Sequence, residues 1–371
     1  MLTAPHLTKP IRDTKIIVAM SGGVDSSVVA ALLHEAGYQV IGVTLQLYDL
    51  AVTLEKKGAC CAGQDIYDAK NVADKIGFPH YVLNYESLFK ESVIEEFADS
   101  YMNGETPIPC VKCNQSVKFR DLLKVAKDLG ADGLATGHYI QKTYINNEPV
   151  LLKGNDETKD QSYFLFATTK EQLNYTFFPL GHMNKTETRE HAARFGLDVA
   201  NKSDSQDICF VPNGDYASVI SKLRPGALDA GDIVDMEGKV LGRHTGIINY
   251  TIGQRKGLGI AAANPLYVVK IDAENKKVIV GSEDDLKSKN FFISGLNWLG
   301  ITDFPEEGLD CFVKLRSTHK GAHAHISKTD DNKYKVTMFD PERAVTPGQA
   351  CVMYDENKVL GGGWITRDHL K

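Results

Sequence analysis

The chain has 371 residues, 42 of them Lys or Arg and 48 Asp or Glu, for a formal charge of −6. With 43% hydrophobic and 24% charged residues, its composition is that of an ordinary globular protein of two or three folded units, which excludes disorder, collagen and coiled coil. No apolar run approaches the roughly 18 residues of a membrane-spanning helix, and the opening MLTAPHLTKPIRDTK has no apolar centre for a signal peptide, so a soluble, cytoplasmic protein is expected.

From Lys15 the pattern predicts a strand (Ile16 to Met20), a Ser-Gly-Gly turn, an apolar helical run to Ala36 stopped by Gly37, and a second strand from Val40. Alternation continues with a helix from Asp65 to Ile76, a strand at Tyr81 to Leu83, helices near Glu91 to Tyr101 and Val117 to Leu129, and a strand at Gly133 to Thr136. Such alternation implies an α/β domain built on a doubly wound parallel sheet, with ligands beyond the carboxyl ends of its strands. After Gln206 the texture shifts to Gly-rich loops and short apolar runs (Leu266 to Ile271, Lys277 to Val280). From Asn290 the β-like stretches Phe291 to Ile293, Cys311 to Leu315, His323 to Ile326, Tyr334 to Phe339 and Ala350 to Tyr354 predict a small barrel or sandwich. Boundaries near 206 and 284 divide the chain into 1–206, 207–283 and 284–371. The acidic excess falls before residue 206, so the C-terminal part is better placed to approach phosphates.

Ser21-Gly22-Gly23-Val24-Asp25-Ser26-Ser27 lies between a predicted strand and helix, where backbone N–H groups and the helix dipole favour an anion. The glycines allow close approach of a phosphate and the serines offer hydroxyl donors. No Walker lysine is present, and Asp25 is expected to position Mg²⁺ or the start of the helix.

Seven cysteines in a long chain without a secretory signal argue against a disulfide scaffold. Cys110-Val111-Lys112-Cys113 is a C-x-x-C, and Cys209 is a third thiol near the domain boundary. If both loops reach the carboxyl edge of the sheet, these thiols meet beside the nucleotide, with Lys112 and a helix beginning near Gln115 as the groups that would favour thiolate. A structural zinc lacks a second ligand pair. Cys60-Cys61 reads as two loop or core thiols, Cys311 and Cys351 as packing residues, and His319, His323 and His325 as surface histidines.

The loop Ser21 to Ser27 resembles the PP-loop of the ATP pyrophosphatases, which have an adenine nucleotide alpha hydrolase-like fold and cut ATP between its α and β phosphates. Six further strings extend the resemblance over nearly the whole chain: Cys113-Asn114 with Val117-Lys118-Phe119, Ala135-Thr136-Gly137-His138-Tyr139, Lys159-Asp160-Gln161-Ser162-Tyr163, Asp207-Ile208-Cys209-Phe210, Gly253-Gln254-Arg255-Lys256-Gly257-Leu258-Gly259 and Thr346-Pro347-Gly348-Gln349. As an ordered set they resemble the tRNA-uridine 2-sulfurtransferases of the MnmA (TrmU) family. The resemblance implies a PP-loop domain, a small central domain and a C-terminal β-barrel. It also implies thiolation at C2 of the wobble uridine of tRNAs for Lys, Glu and Gln, with ATP converted to AMP and pyrophosphate.

Carried over by position, the family's ATP site falls on Ala19, Met20, Ser21, Gly22, Gly23, Val24, Asp25, Ser26, Leu45 and Gly137. Its tRNA contacts fall on Ile108, Pro109 and Cys110 at the target base, and on His138, Lys159, Asp160, Gln161, Arg316, Ser317 and Gln349. The catalytic pair corresponds to Cys113 and Cys209, with Cys209 bearing a persulfide supplied by an upstream sulfur-carrier protein. Many relatives have Asp where this chain has Cys110, so Cys110, Cys113 and Cys209 form a three-thiol set that would also suit a 4Fe-4S cluster. Arg255, Lys256, Lys314, Arg316 and Lys320 join Lys159 as candidate phosphate contacts. The alternative readings are a PP-loop ligase that adenylates a small metabolite and a non-catalytic RNA-binding protein with a redox thiol switch.

Overall fold

A computed structural model describes residues 4–48, 61–203, 208–211, 214–329 and 331–369. Five parallel strands form the first sheet: β1 (Lys15–Ala19), β2 (Gln39–Gln46), β3 (His80–Asn84), β4 (Gly133–Ala135) and β7 (Thr176–Phe177), in the order β3-β2-β1-β4-β7. β1 lies at its centre with Ile16, Ile17 and Val18 fully buried, as expected for a strand covered on both faces. Its alternate side chains feed two cores. Ile16 and Val18 pack with Val28, Val29 and Leu33 of α1 (Val24–Glu35), Ala69 and Val72 of α2 (Cys61–Ile76) and Ala192. Ile17 packs with Phe119, Leu122 and Ala126 on the opposite face. The sheet is therefore doubly wound, and strand order reverses between β1 and β4, the kind of switch point at whose carboxyl ends such sheets bind ligands.

Local signals set the ends of α1. Gly37 takes φ +90°, and the Tyr38 N–H donates to Leu33 O at 3.1 Å, closing the helix as a glycine C-cap does. The two predicted long helices are each irregular. Lys90–Ile94 is wound as a π-helix before Glu95–Met102, and Asn114–Lys118 is a π turn joining α3 (Pro109–Cys113) to α4 (Asp121–Asp128). Wide turns of this kind are frequent at functional sites.

Four strands, β8 (Gly231–Val234), β9 (Val240–His244), β10 (Tyr267–Asp272) and β11 (Lys277–Gly281), make a central sheet in the order β10-β11-β8-β9. Its Ile233, Val268, Val278 and Val280 share one core with Phe89, Phe97, Cys113 and Phe210. The last unit is a six-stranded barrel of β12 (Lys287–Trp298), β13 (Leu309–Lys314), β14 (Ala322–Lys328), β15 (Tyr334–Arg343), β16 (Ala350–Asp355) and β17 (Lys358–His369), closed by pairing of β12 with β17. Val313, Ala324, Ile326, Val336, Met338, Cys351 and Met353 fill its interior.

A hairpin from the first part of the chain, β5 (Ile140–Ile145) and β6 (Glu148–Lys153), extends the barrel sheet through β17. A second contact fixes the barrel to the thiol segment: Thr106 N–H donates to Pro347 O at 2.9 Å, and Gln349 Nε2 donates to Thr106 O at 2.8 Å. The barrel thus holds the chain two residues before Ile108 enters α3. Among the described residues no helix is long and apolar enough to cross a membrane.

Candidate active site

β1 hands the chain to a turn that requires glycine. Gly22 has φ +72°, and a Cβ there would overlap the backbone of Asp65 in α2. Lys202 ties the same turn to α2, donating to Gly22 O at 3.0 Å, Asp65 Oδ1 at 2.7 Å and Asp68 Oδ2 at 2.6 Å. Gly137, beyond β4, comes so near that its Cβ would stand 2.8 Å from Ser26 N. Ala19, Met20, Ser21, Gly22, Gly23, Val24, Asp25, Ser26 and Gly137 thus lie together at the sheet's switch point, and Leu45 sits at the carboxyl end of neighbouring β2.

Two expectations for this loop need correction. The hydroxyls of Ser26 and Ser27 are taken up by the loop itself: Ser26 Oγ accepts from Ser21 N at 3.1 Å, and Ser27 Oγ donates to Gly23 O at 2.8 Å. Both serines are buried and brace the turn, whereas Ser21 is exposed. Asp25 is in the first turn of α1, but Lys185 Nζ lies 2.7 and 2.8 Å from its two oxygens and the Tyr139 hydroxyl donates to Oδ1 at 2.8 Å. With both oxygens engaged, the Asp25 carboxylate does not fit a Mg²⁺ ligand.

The thiols lie at the core that the first and central parts of the chain share. Cys110 and Cys113 are one turn apart in α3, with Cys110 exposed and Cys113 buried among Phe89, Phe97, Val117 and Phe210. Phe210 is an anchor: it meets Phe89 edge-on at 5.7 Å and Phe97 at 5.2 Å, which pins the adjacent Cys209 over the cluster. Cys209 reaches solvent as a residue, yet its sulfur is crowded by protein and hydrogen-bonds the Tyr48 side chain. Burial pushes its thiol up to about 12; Cys113 and Cys110 push the same way, while Lys118 and the Tyr48 bond oppose them. Burial also raises Cys113, against the pull of Lys118. The three sulfurs are therefore within electrostatic reach of one another, and Cys113 and Cys209 share Lys118 as their cation.

Lys112 does not perform the role predicted for it. It pairs with Glu96 at 2.7 Å and stands 4.9 Å over the Trp364 ring, while the π turn replaces the expected helix start near Gln115. Lys118, inside the quoted Val-Lys-Phe string, is the cation that sequence reasoning missed. A K118M variant is expected to shift the pH midpoint for alkylation of Cys209 upward, because loss of a nearby positive charge disfavours thiolate. The measurement is the rate of iodoacetamide labelling against pH.

Among the described residues no three His, Cys, Asp or Glu side chains are grouped to hold a metal. The cluster ligand set Cys110, Cys113 and Cys209 is thus not assembled: the α3 turn presents Cys110 to solvent and buries Cys113. Cys311 and Cys351 are buried in the barrel, as expected of packing thiols. Cys60, the side chain of Cys61, and Asp207 lie outside the described residues.

The tRNA-facing candidates divide into two groups. Ile108 and Pro109 help line a cavity of about 390 Å³ between α3 and β17, along with Glu96, Lys112 and Trp364. His138, half-buried, holds Thr136 Oγ1 at 2.9 Å, and burial with Lys118 pushes its imidazole down to about 3, so it is neutral. Lys159 and Arg316 are half-buried, and Ser317 is exposed. Three others face inward. Asp160 Oδ1 accepts from Gly154 N at 3.0 Å and Ser162 N at 3.1 Å, Gln161 Oε1 accepts from Tyr139 N at 2.9 Å, and Gln349 is bound to Thr106. These side chains shape loops. His319 is also corrected: it is buried, accepts from Leu315 N at 3.2 Å and lies 3.3 Å from Glu342, bracing the loop that carries Arg316 and Ser317.

Residues 14–213 match the tRNA methyl transferase HUP domain, 219–282 the tRNA methyl transferase PRC-barrel domain, and 288–365 the aminomethyltransferase beta-barrel domain. The chain is 61% identical over 357 residues to the tRNA-specific 2-thiouridylase MnmA of Rickettsia felis, covering 96% of this chain and 98% of that one. It is 62% identical over 353 residues to the MnmA of Rickettsia canadensis, covering 95% and 96%. The tRNA thiolase NcsA from Methanococcus maripaludis, solved with its 4Fe-4S cluster, aligns at TM-score 0.35 and 17% identity over 60% of this chain and 71% of that one, a likeness from which nothing about the sulfur route follows. At this identity over nearly its full length, the chain belongs to the MnmA family of tRNA-specific 2-thiouridylases.

Proposed function

We propose that this chain replaces the C2 oxygen of the wobble uridine in tRNAs for Lys, Glu and Gln with sulfur, converting ATP to AMP and pyrophosphate. The observation that supports the reading is that Cys113 and Cys209 lie within electrostatic reach of each other, Cys113 in the same core as Phe210, the neighbour of Cys209. Uridine O2 is a poor leaving group, so it first attacks the α-phosphorus, expelling pyrophosphate and leaving the base adenylated. N–H groups of Gly22 and Gly23 and the α1 dipole stabilise the charge on phosphate. The Mg²⁺ that accompanies ATP is carried by its phosphates rather than by Asp25.

Cys209, loaded as a persulfide by a sulfur-carrier protein, attacks C2 with its terminal sulfur, and AMP departs with the former O2. Cys113 then attacks the Cys209 sulfur, which frees 2-thiouridine and leaves a Cys113–Cys209 disulfide. The electrons balance: the sulfane sulfur gains the two that the thiols lose. An external thiol resets the enzyme. Burial disfavours the thiolate of both cysteines at rest while Lys118 opposes it, so Cys113 gives up its proton as it attacks. The wobble base must leave its stack to reach this point. A tRNA substrate and a need for ATP support a cytoplasmic location.

The test is incubation of the protein with ATP, Mg²⁺, a persulfide donor and unmodified tRNA, followed by nucleoside analysis. One 2-thiouridine per tRNA at the wobble position is expected. Pyrophosphate release that needs a small metabolite and not tRNA would favour a ligase, and absence of any nucleotide turnover would favour a non-catalytic RNA-binding protein.

A further inference from the structure

The phosphate loop holds a negative charge of its own where an anion has to arrive. Asp25 lies in the first turn of α1, beside the N–H groups offered to the phosphates. Uncompensated, its carboxylate would repel a triphosphate and cancel the helix field that attracts it.

A second element supplies the compensation. Helix α5 (Lys185–Arg194) begins at a capping box in which Asn184 and Glu187 bond each other's backbone, so its first residue is presented in a fixed direction. That residue is Lys185, whose ammonium spans both Asp25 oxygens at 2.7 and 2.8 Å with 13% of the side chain exposed. Tyr139 supports both partners: its hydroxyl donates to Asp25 and lies 2.9 Å from Thr188 in the same helix, and Lys185 Nζ sits 5.6 Å from its ring centre. Lys185 is also anchored through its backbone, donating N–H to Asp156 Oδ2 at 3.2 Å. The pair is thus held from three sides.

We propose that Lys185 is the charge-compensating residue of the phosphate loop: it neutralises Asp25 and so leaves the α1 N-terminus to the phosphates of ATP. The proposal rests on the ATP reading above. Lys185 acts through Asp25, which makes it a positioning residue. A Walker loop carries its lysine within the loop, whereas here the ammonium comes from a helix 160 residues further along the chain.

The experiment is equilibrium binding of ATP and of adenosine to the full chain in Mg²⁺ buffer, for wild type, K185M, D25N and the double variant. K185M is expected to weaken ATP at least tenfold and adenosine less than twofold, since adenosine has no phosphate. The double variant is expected to return to within threefold of wild type, because the charge that needed compensation is gone. ATP binding to K185M at wild-type strength would overturn the proposal, as would a double variant no better than K185M, or equal losses for ATP and adenosine. If K185M does not fold, K185Q takes its place in the same comparison, with the same outcomes expected for ATP and adenosine. Failure of the wild type to bind ATP would instead sink the nucleotide reading, and it is seen before any variant is compared.

Discussion

Replacing Cys209 by Ser is expected to lower tRNA thiolation on the order of a thousandfold or more while ATP affinity stays at the wild-type level, since loss of a nucleophile removes the covalent route outright. The separation is physical. Cys209 rests on the aromatic cluster of Phe89, Phe97 and Phe210, and none of the side chains bracing the phosphate loop belongs to that cluster. Ser is smaller and hydroxylic but fits the same space, so the fold should survive. Two assays settle it: nucleoside analysis for thiolation, and equilibrium binding for ATP. Full thiolation by the variant with a persulfide donor would refute the role of Cys209.

The second large effect is expected at Gly22. Alanine there must take φ +72° and push its methyl group into the Asp65 backbone, which α2 holds in place through Lys202. Left-handed backbone costs about 1–2 kcal/mol for a residue with a Cβ, and overpacking typically about 1–3 kcal/mol more. The loop must shift, and ATP affinity should fall roughly thirtyfold or more, with a lower Tm. Gly23 is the control. Its φ is −91° and its nearest neighbour to a new Cβ is Ser21 Oγ at 3.5 Å, so Gly23→Ala should leave Tm unchanged. Thermal melts of the two variants side by side check this, and equal losses would contradict it.

What the sequence revealed and what it hid follow from the range of the interactions. The β1–turn–α1 unit and the Gly37 stop were legible because each is decided within a few residues. The thiols were legible as chemistry, since few residue types can carry sulfur. The ammonium groups that set the electrostatics were not: Lys185 meets Asp25 across 160 positions, and Lys202 meets Asp65 across 137. A lysine on a helical segment carries no mark of its eventual partner. His319 was misread for a similar reason, as its burial depends on Glu342 from a different strand.

A hairpin and a strand among the elements missed were hidden for opposite reasons. The hairpin β5–β6 has a two-residue turn, Asn146-Asn147, with both residues at positive φ, a signal that local rules could have used. β17 contains Gly361-Gly362-Gly363, which reads as a break. In the barrel these glycines sit in a strand because other groups come too near for side chains: a Cβ on Gly362 would be 2.7 Å from the Phe166 ring. Only the tertiary neighbour explains the choice.

The most direct test of the sulfur pair is a single turnover without reductant, starting from protein persulfidated at Cys209, with ATP and unmodified tRNA, followed by peptide mapping of the cysteines. The predicted result is one 2-thiouridine formed for each Cys113–Cys209 disulfide. Thiolation that leaves Cys113 reduced, or that joins Cys209 to Cys110 instead, would contradict it.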